Sequence, residues 1–356
     1  MSKRKGKVFI GFSNIANVGL SLKLGFEEIG YKADFFSKEK VLHKYDYSDS
    51  SDLKFYRVIW SKFKIVRYIQ SLWLFLKLLI RYKYFIFLQG SDGYLFSQSK
   101  DIIVLKFFKK IVSVVLTGCD VRVPRLVEKY KWNPCRDCPE SYRKQGGCEF
   151  PNKYQKLDAI KQNFDVIFSA DECGGYFNEK YYTYYFPVKD IGILKSGRTI
   201  TTSKEEFIRI FHAPTNEDYK GSKYIYKAVE SLKKRYKFDF ITFQNISKDE
   251  LIEEILRCDL LIDQMLVGFY GILTVESMLL QKPVVCYIRE DIWNKFNGEC
   301  PIYNANPDNL ETVLEKILQN PSQLIARGEK SRKYALECHS PKKVAENMLK
   351  VFNEEQ

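Results

Sequence analysis

Asp263-Gln264-Met265-Leu266-Val267-Gly268-Phe269-Tyr270-Gly271-Ile272-Leu273-Thr274-Val275-Glu276 is the stretch whose reading decides the fold. Residues 260–263 are apolar up to Asp263 and predict a buried strand, and residues 272–280 carry apolar side chains at the period of a helix. Between them stand Gly268 and Gly271, which let backbone close on a ligand. The amides of Gly271, Ile272, Leu273 and Thr274 then open the helix. Unsatisfied N–H groups and the helix dipole attract an anion there. Glu276 falls on the first or second turn, placed to accept from ribose hydroxyls. Alone it reads as an exposed helical acid; the whole string is far less generic.

Working outward, the same strand–loop–helix order recurs. Residues 207–213 predict a strand containing Arg209 and ending near His212, and residues 223–237 predict a helix. Lys220, at the start of that helix, suits a diphosphate clamp, against the plainer reading of a solvated lysine at a cap. Strands at 238–243 and 283–287 and a helix at 251–257 complete this half. In the other half, residues 7–12, 32–36, 84–88, 111–117 and 165–169 predict strands, and 20–29 a helix closed by Gly30. Alternating strands and helices imply two tandem doubly wound, Rossmann-like α/β domains whose strand ends face a cleft. The expected division is an acceptor-side domain at 1–191 with a Cys-rich loop at 119–150, a linker at 192–203, a donor domain at 204–338, and a terminal helix at 339–356.

Length and composition agree. At 356 residues, 45% hydrophobic and 28% charged, the chain is globular and large enough for two cores. A net charge of +13 favours polyanions without choosing between nucleic acid, an anionic membrane and a phosphorylated small molecule. Nine scattered cysteines, an odd number, favour a reducing cytoplasm over a disulfide framework. The apolar run at 8–12 is too short for a signal-peptide core, and the run at 72–80 is interrupted by Lys77 and far short of the ~20 residues of a membrane span.

The segments from His212-Ala213-Pro214-Thr215-Asn216 through Lys220-Gly221, and from Asp263 to Val285, resemble the donor half of GT-B-fold, family-4-type glycosyltransferases. The resemblance implies that the loop–helix start holds the donor phosphates, that Glu276 holds the ribose and that Lys220 pairs with the diphosphate. It implies donor contacts for Arg209, His212, Gly268, Tyr270 and Gly271 to Thr274. In the first half, Thr117-Gly118-Cys119-Asp120-Val121-Arg122 resembles an acceptor-side loop that closes the strand facing the donor sugar, with Asp120 beside Lys220 and Glu276 as a catalytic candidate that either faces the cleft or merely fixes the loop, and with Asn17, Gly19, Thr117 and Gly118 on the acceptor side. Two departures stand out. The family's first glutamate, eight residues before Glu276, is Gly268 here, and Thr117 replaces a frequent histidine. The implied partners are a nucleotide diphosphate-sugar and a glycan or lipid-linked acceptor, with no nucleic acid, and the implied reaction retains anomeric configuration. Negative charge grows on the leaving diphosphate, and Lys220, the helix-start amides and Arg209 are the expected stabilisers. No Asp-x-Asp pair occurs, so no catalytic metal is expected.

Two further features lie outside that site. Cys135-x2-Cys138 with Cys148 and Cys119 (or Cys173) suggests a structural zinc, against a reading as free thiols. Residues 53–84 interleave Lys and Arg with Trp60, Phe63, Tyr68, Trp73, Phe75 and Tyr82 and contain no acid. They suit the interface of an anionic membrane, on the inner face in the cytoplasmic reading, or a helix with one face on a sheet and solvated lysines. Three alternatives share these observations: a nucleotide-sugar epimerase of the same fold, a non-catalytic transferase, and a basic zinc-containing nucleic-acid binder. The last leaves the Gly268–Glu276 stretch unexplained.

Overall fold

A computed structural model of the protein describes residues 6–13, 17–37, 56–57, 61–88, 95–116, 118–145, 148, 152–176, 180–190, 207–244 and 246–355. The linker expected at 192–203 lies outside them, as does Thr117. The chain forms two compact units. Unit 1 comprises Met1–Val123, Lys144–Pro187 and Pro341–Gln356; unit 2 comprises Pro124–Arg143 and Val188–Ser340.

Unit 1 contains β1 (Val8–Phe12), α1 (Val18–Glu28), β2 (Ala33–Ser37), β3 (Tyr56–Arg57), α2 (Lys64–Arg81), β4 (Tyr84–Leu88), α3 (Gln98–Phe107) and β5 (Ile111–Leu116). The chain passes through two short helices, α4 (Pro124–Val127) and α5 (Glu140–Gln145), before α6 (Asn152–Asn163), β6 (Val166–Ser169), α7 (Asp171–Gly174) and β7 (Tyr182–Thr183). All strands are parallel, in the order β3-β2-β1-β4-β5-β6-β7. Pairing steps one way from β1 to β2 and the other way from β4 onward, so the sheet's switch point lies between β1 and β4. Right-handed crossovers therefore put α1 on one face and α2, α3 and α6 on the other. The β1, β2 and β4 runs are apolar almost throughout because both faces are covered, and Phe9 makes ring contacts with Phe36, Tyr82, Phe85 and Phe87 at their centre.

Unit 2 holds β8 (Arg209–His212), α8 (Glu217–Lys220), α9 (Ser222–Lys233), β9 (Asp239–Thr242), α10 (Lys248–Arg257), β10 (Leu260–Ile262) and α11 (Ile272–Leu279). β11 (Val284–Cys286), α12 (Glu290–Trp293), β12 (Tyr303–Asn304), α13 (Leu310–Gln319) and α14 (Gln323–His339) follow. Its five parallel strands run β12-β11-β10-β8-β9. The first strand of the unit, β8, thus sits between the second and the third, and the switch point falls between β8 and β10. Ile210, Ile225, Val229, Leu232, Leu260, Ile262, Val285 and Leu314 form one core between sheet and helices. A full capping box fixes the start of α10: Ser247 Oγ accepts from the Glu250 amide and the Glu250 carboxylate accepts from the Ser247 amide.

The last helix, α15 (Pro341–Glu354), belongs to unit 1. It lies so close to α1 that a Cβ on Gly25 would stand 2.0 Å from the Pro341 carbonyl oxygen, and Phe352 stacks on Tyr84 at 5.5 Å.

Candidate active site

In an open parallel sheet, ligands bind beyond the carboxyl ends of the strands at the switch point. In unit 2 that place is bounded by the loop after β8, which carries Lys220, and the loop after β10, which carries Asp263 and leads into α11. The two loops are bound together. The Met265 amide donates to the Lys220 carbonyl at 2.8 Å, and Gly221, at φ 76°, leaves room where a Cβ would stand 2.9 Å from Leu266. Lys220 ends the single turn of α8, and Gly221 separates it from α9.

The Lys220 ammonium is not a solvated cap. Its side chain is 12% exposed and donates to Asp263 Oδ1 at 2.8 Å and to Gln264 Oε1 at 2.7 Å. Asp263, 1% exposed, accepts a further bond at Oδ2 from Thr274 Oγ1 at 2.7 Å. Burial alone would push the Asp263 carboxyl up. The Lys220 charge and the hydrogen bonds from Lys220 and Thr274 outweigh it and hold the group below the usual carboxylate range. One buried carboxylate therefore ties the ammonium to the first turn of α11. That helix starts at Ile272 with Gly271 as its N-cap, and no side chain caps it. Gly271, Ile272 and Leu273 are partly exposed, so the helix start is open to an anion.

Glu276 is buried on the second turn of α11, with its carboxylate on the ammonium of Lys248, itself buried at the start of α10. Sequence reading missed Lys248, because a lysine after an N-cap serine reads as solvent-facing. It also missed Arg289. That guanidinium is buried against the ring of Tyr130 at 4.1 Å and donates from Nε and Nη2 to Asp291 at 3.0 Å each. Gly268, at φ 81°, carries the Arg289 side chain over it; a Cβ there would stand 2.6 Å from Arg289 Cγ. The position that holds an acid in the resembling family is filled by this packing.

Three expected donor contacts lie elsewhere. Arg209 is the first residue of β8, hence at the amino edge of the sheet, opposite the loops, where it pairs with Glu254 at 3.1 Å. His212 spends both ring nitrogens inside the unit: Nδ1 donates to the Ile262 carbonyl and Nε2 accepts from Ser222 Oγ, each at 2.8 Å. Burial lowers its pKa to about 4, so the ring is neutral at physiological pH and has no nitrogen left for a ligand. The Tyr270 hydroxyl is buried against Tyr334 Oη at 3.2 Å and His339 Nε2 at 3.1 Å, which makes it a core residue.

In unit 1, Asn17 follows β1 at the switch point, in the left-handed region at φ 61°, and its Oδ1 is buried without a hydrogen-bond partner among the described residues. A buried acceptor left unmatched costs about 1–3 kcal/mol unless a ligand donates to it. Gly19 serves packing, since a Cβ there would meet the Phe35 ring at 2.4 Å. Gly118 follows β5 at φ 74°, and its amide donates to Cys173 Sγ at 3.1 Å. Asp120 ends the same 3-10 turn. Behind it a buried Arg122–Glu172 pair, 2.9 and 2.8 Å through two nitrogens, fixes the loop.

Among the described residues no three His, Cys, Asp or Glu side chains are grouped to hold a metal. Cys119 and Cys148 belong to unit 1, and Cys135 and Cys138 to unit 2. The segment bearing the latter two packs on the unit 2 elements nearest the site. Trp132 contacts Tyr224, Asp137 pairs with Lys223 at 2.9 Å, and Tyr130 faces Arg289.

No protein-family model matches the chain, and no curated protein matches it in sequence. Solved structures do. Anabaena HepE in complex with UDP-glucose aligns at TM-score 0.59 and 10% identity, over 98% of this chain and 99% of that one. An alpha-glucosyltransferase in complex with UDP aligns at TM-score 0.60 and 11% identity, over 98% and 100%. Sucrose-phosphate synthase from Thermosynechococcus elongatus aligns at TM-score 0.55 and 10% identity, over 99% of each. At these identities the likeness is one of fold, and the chain has the GT-B fold: two parallel-sheet, Rossmann-like α/β domains in tandem.

Proposed function

We propose that the protein is a glycosyltransferase that moves a hexosyl group from a nucleotide diphosphate-sugar to a glycan or lipid-linked acceptor in polysaccharide assembly. One observation carries this reading: an uncapped helix start and a lysine, joined through the buried Asp263, stand at the switch point of a doubly wound sheet. Structures of the same fold hold UDP or UDP-glucose.

The chemistry such a site supplies is charge stabilisation. As the glycosidic bond to the donor breaks, negative charge builds on the leaving diphosphate, and fixed N–H dipoles and an ammonium stabilise it without reorganising. The Ile272 and Leu273 amides are the donors, Lys220 the nearby cation, and Glu276 the acceptor for ribose hydroxyls, with Lys248 holding its carboxylate in place. In this reading the diphosphate is neutralised by protein groups without a catalytic metal, and the product keeps the donor's anomeric configuration. In unit 1, Asn17 Oδ1 is the acceptor-side group best suited to accept a hydrogen bond from an acceptor hydroxyl.

The test is incubation with a panel of nucleotide-sugars in the presence of chelator, with released nucleoside diphosphate as readout. Release with at least one donor, lost in Glu276→Gln, supports the reading. No release with any donor, or release unchanged in that variant, opposes it, and an epimerised sugar without release would reassign the protein.

A further inference from the structure

Helix α2 has two apolar faces. One packs on the unit 1 sheet through Phe75, Leu78 and Leu79, beside the buried Ser71. The other points away from it. At ~100° per residue, Ile65, Ile69, Leu72, Trp73, Leu76 and Ile80 fall within an arc of about 100°. All six are exposed, Trp73 at 64% and Ile80 at 85%. Arg67, Lys77 and Arg81 occupy the next arc, and the Lys77 ammonium lies 4.6 Å from the Trp73 ring centre.

Helix α3 carries further exposed apolar residues. Both helices lie on one face of the sheet, and Phe96, just before α3, makes ring contacts with Tyr68 at 5.4 Å and Phe75 at 6.0 Å on α2. Ile103, Phe107 and Phe108 are exposed there. The sequence has no acidic residue from 53 to 91. Asp101, the first acid of α3, is buried and accepts from the Leu95 and Phe96 amides, so its charge is turned inward. An exposed apolar stripe like that of α2 marks an interaction site.

Its chemistry selects the partner. The surface asks for hydrocarbon and negative charge side by side. A second copy meeting it about a twofold axis would set this cationic flank against itself. An anionic bilayer offers both, and aromatic and basic side chains around an apolar stripe suit its headgroup boundary. No helix among the described residues is long and apolar enough to cross a membrane, so α2 on a bilayer would lie in its plane.

We propose that unit 1 docks on an anionic bilayer surface through the outward face of α2 and the end of α3. The test is flotation of the full chain with vesicles of equal phosphatidylglycerol and phosphatidylcholine at low salt, with phosphatidylcholine alone as the neutral control. The protein should float with the anionic vesicles and far less with the neutral ones. Each basic residue is worth roughly fivefold in partitioning, so Arg67→Gln/Lys77→Gln/Arg81→Gln should lower it by about a hundredfold. Ile69→Ser/Ile80→Ser should lower it by at least ~tenfold. Lys330→Gln/Lys333→Gln on α14 should leave it unchanged. All changed residues are exposed, and an unchanged melting temperature confirms each fold. Failure to float with anionic vesicles overturns the proposal, as does flotation of either α2 variant equal to that of the unchanged protein. So does a dimer that Ile69→Ser/Ile80→Ser converts to monomer in a protein that ignores lipid. Flotation is read without a sugar donor, so its outcome is separate from the transferase reading.

Discussion

Removing the Lys220 ammonium leaves a carboxylate buried without its counter-charge, and Lys220→Met does so while keeping most of the side chain's length. Asp263 is 1% exposed and its partner nitrogen lies 2.8 Å away. Breaking a buried pair by removing one member costs about 3–5 kcal/mol. A unit charge pair about 4 Å apart at an effective dielectric near 20 gives ~4 kcal/mol, in agreement. The pH dependence adds a second signature. In the native protein the Asp263 pKa is depressed below its unfolded value of about 3.9. Its stabilising contribution is therefore present above about pH 4 and is lost as pH falls through the lower folded value. In Lys220→Met the Lys220 charge and hydrogen bond are gone and chiefly the Thr274 hydrogen bond still opposes burial, so the carboxyl rises and protonation relieves the variant as pH falls. Urea unfolding followed by circular dichroism should show a deficit of about 3–5 kcal/mol at pH 8 that shrinks by pH 5. Lys220→Met/Asp263→Asn should recover most of the loss at pH 8. A deficit under ~1 kcal/mol, or one constant from pH 8 to pH 5, refutes the reasoning.

Three more outcomes follow from the same geometry. Glu276→Gln leaves the Lys248 ammonium buried beside a neutral amide and should cost about 3–5 kcal/mol, with Lys248→Met/Glu276→Gln recovering stability but not diphosphate release, as read by chemical unfolding and the release assay. Gly268→Ala places a Cβ against Arg289 at φ 81°, and a loss of roughly 1–3 kcal/mol, or several degrees of melting temperature, is expected from calorimetry. The His212 ring, with its pKa lowered to about 4, should show no titration from pH 8 to pH 5.5 in NMR, and stability should fall as pH drops from about 6.5 toward 4, where the unfolded chain binds the proton first.

The sequence carried the strand–Gly–helix pattern around Gly268 and Gly271 because those features are local: an apolar run, glycines where backbone turns, and a helical period. The same locality made both sheets legible, apart from the two-residue strands β3, β7 and β12, which have no pattern of their own. What escaped was set by partners distant in the chain. Nothing near Lys248 says that Glu276 will bury it, and nothing near Arg289 says that Gly268 will make room for it. Arg209 was misplaced although the information was present, since a residue at the start of a parallel strand faces the edge away from the ligand loops. His212 and Tyr270 stood beside the right loops, but tertiary contacts took their polar atoms. The packing of Pro124–Arg143 in unit 2 has no signal in the order of the residues. The basic aromatic stretch announced a helix, but only the buried side of α2 shows which face is left outward.

Calorimetric titration of nucleoside diphosphates against their parent nucleosides tests the anion site most directly, because the two ligands differ only in the diphosphate. At least one diphosphate should bind about tenfold or more tightly than its nucleoside, and Lys220→Met/Asp263→Asn, with stability recovered, should reduce that advantage to what the α11 amides alone supply. Equal affinity of the unchanged protein for diphosphate and nucleoside would contradict the assignment of Lys220 and the α11 start to the donor, and an advantage undiminished in the double variant would contradict the part given to Lys220.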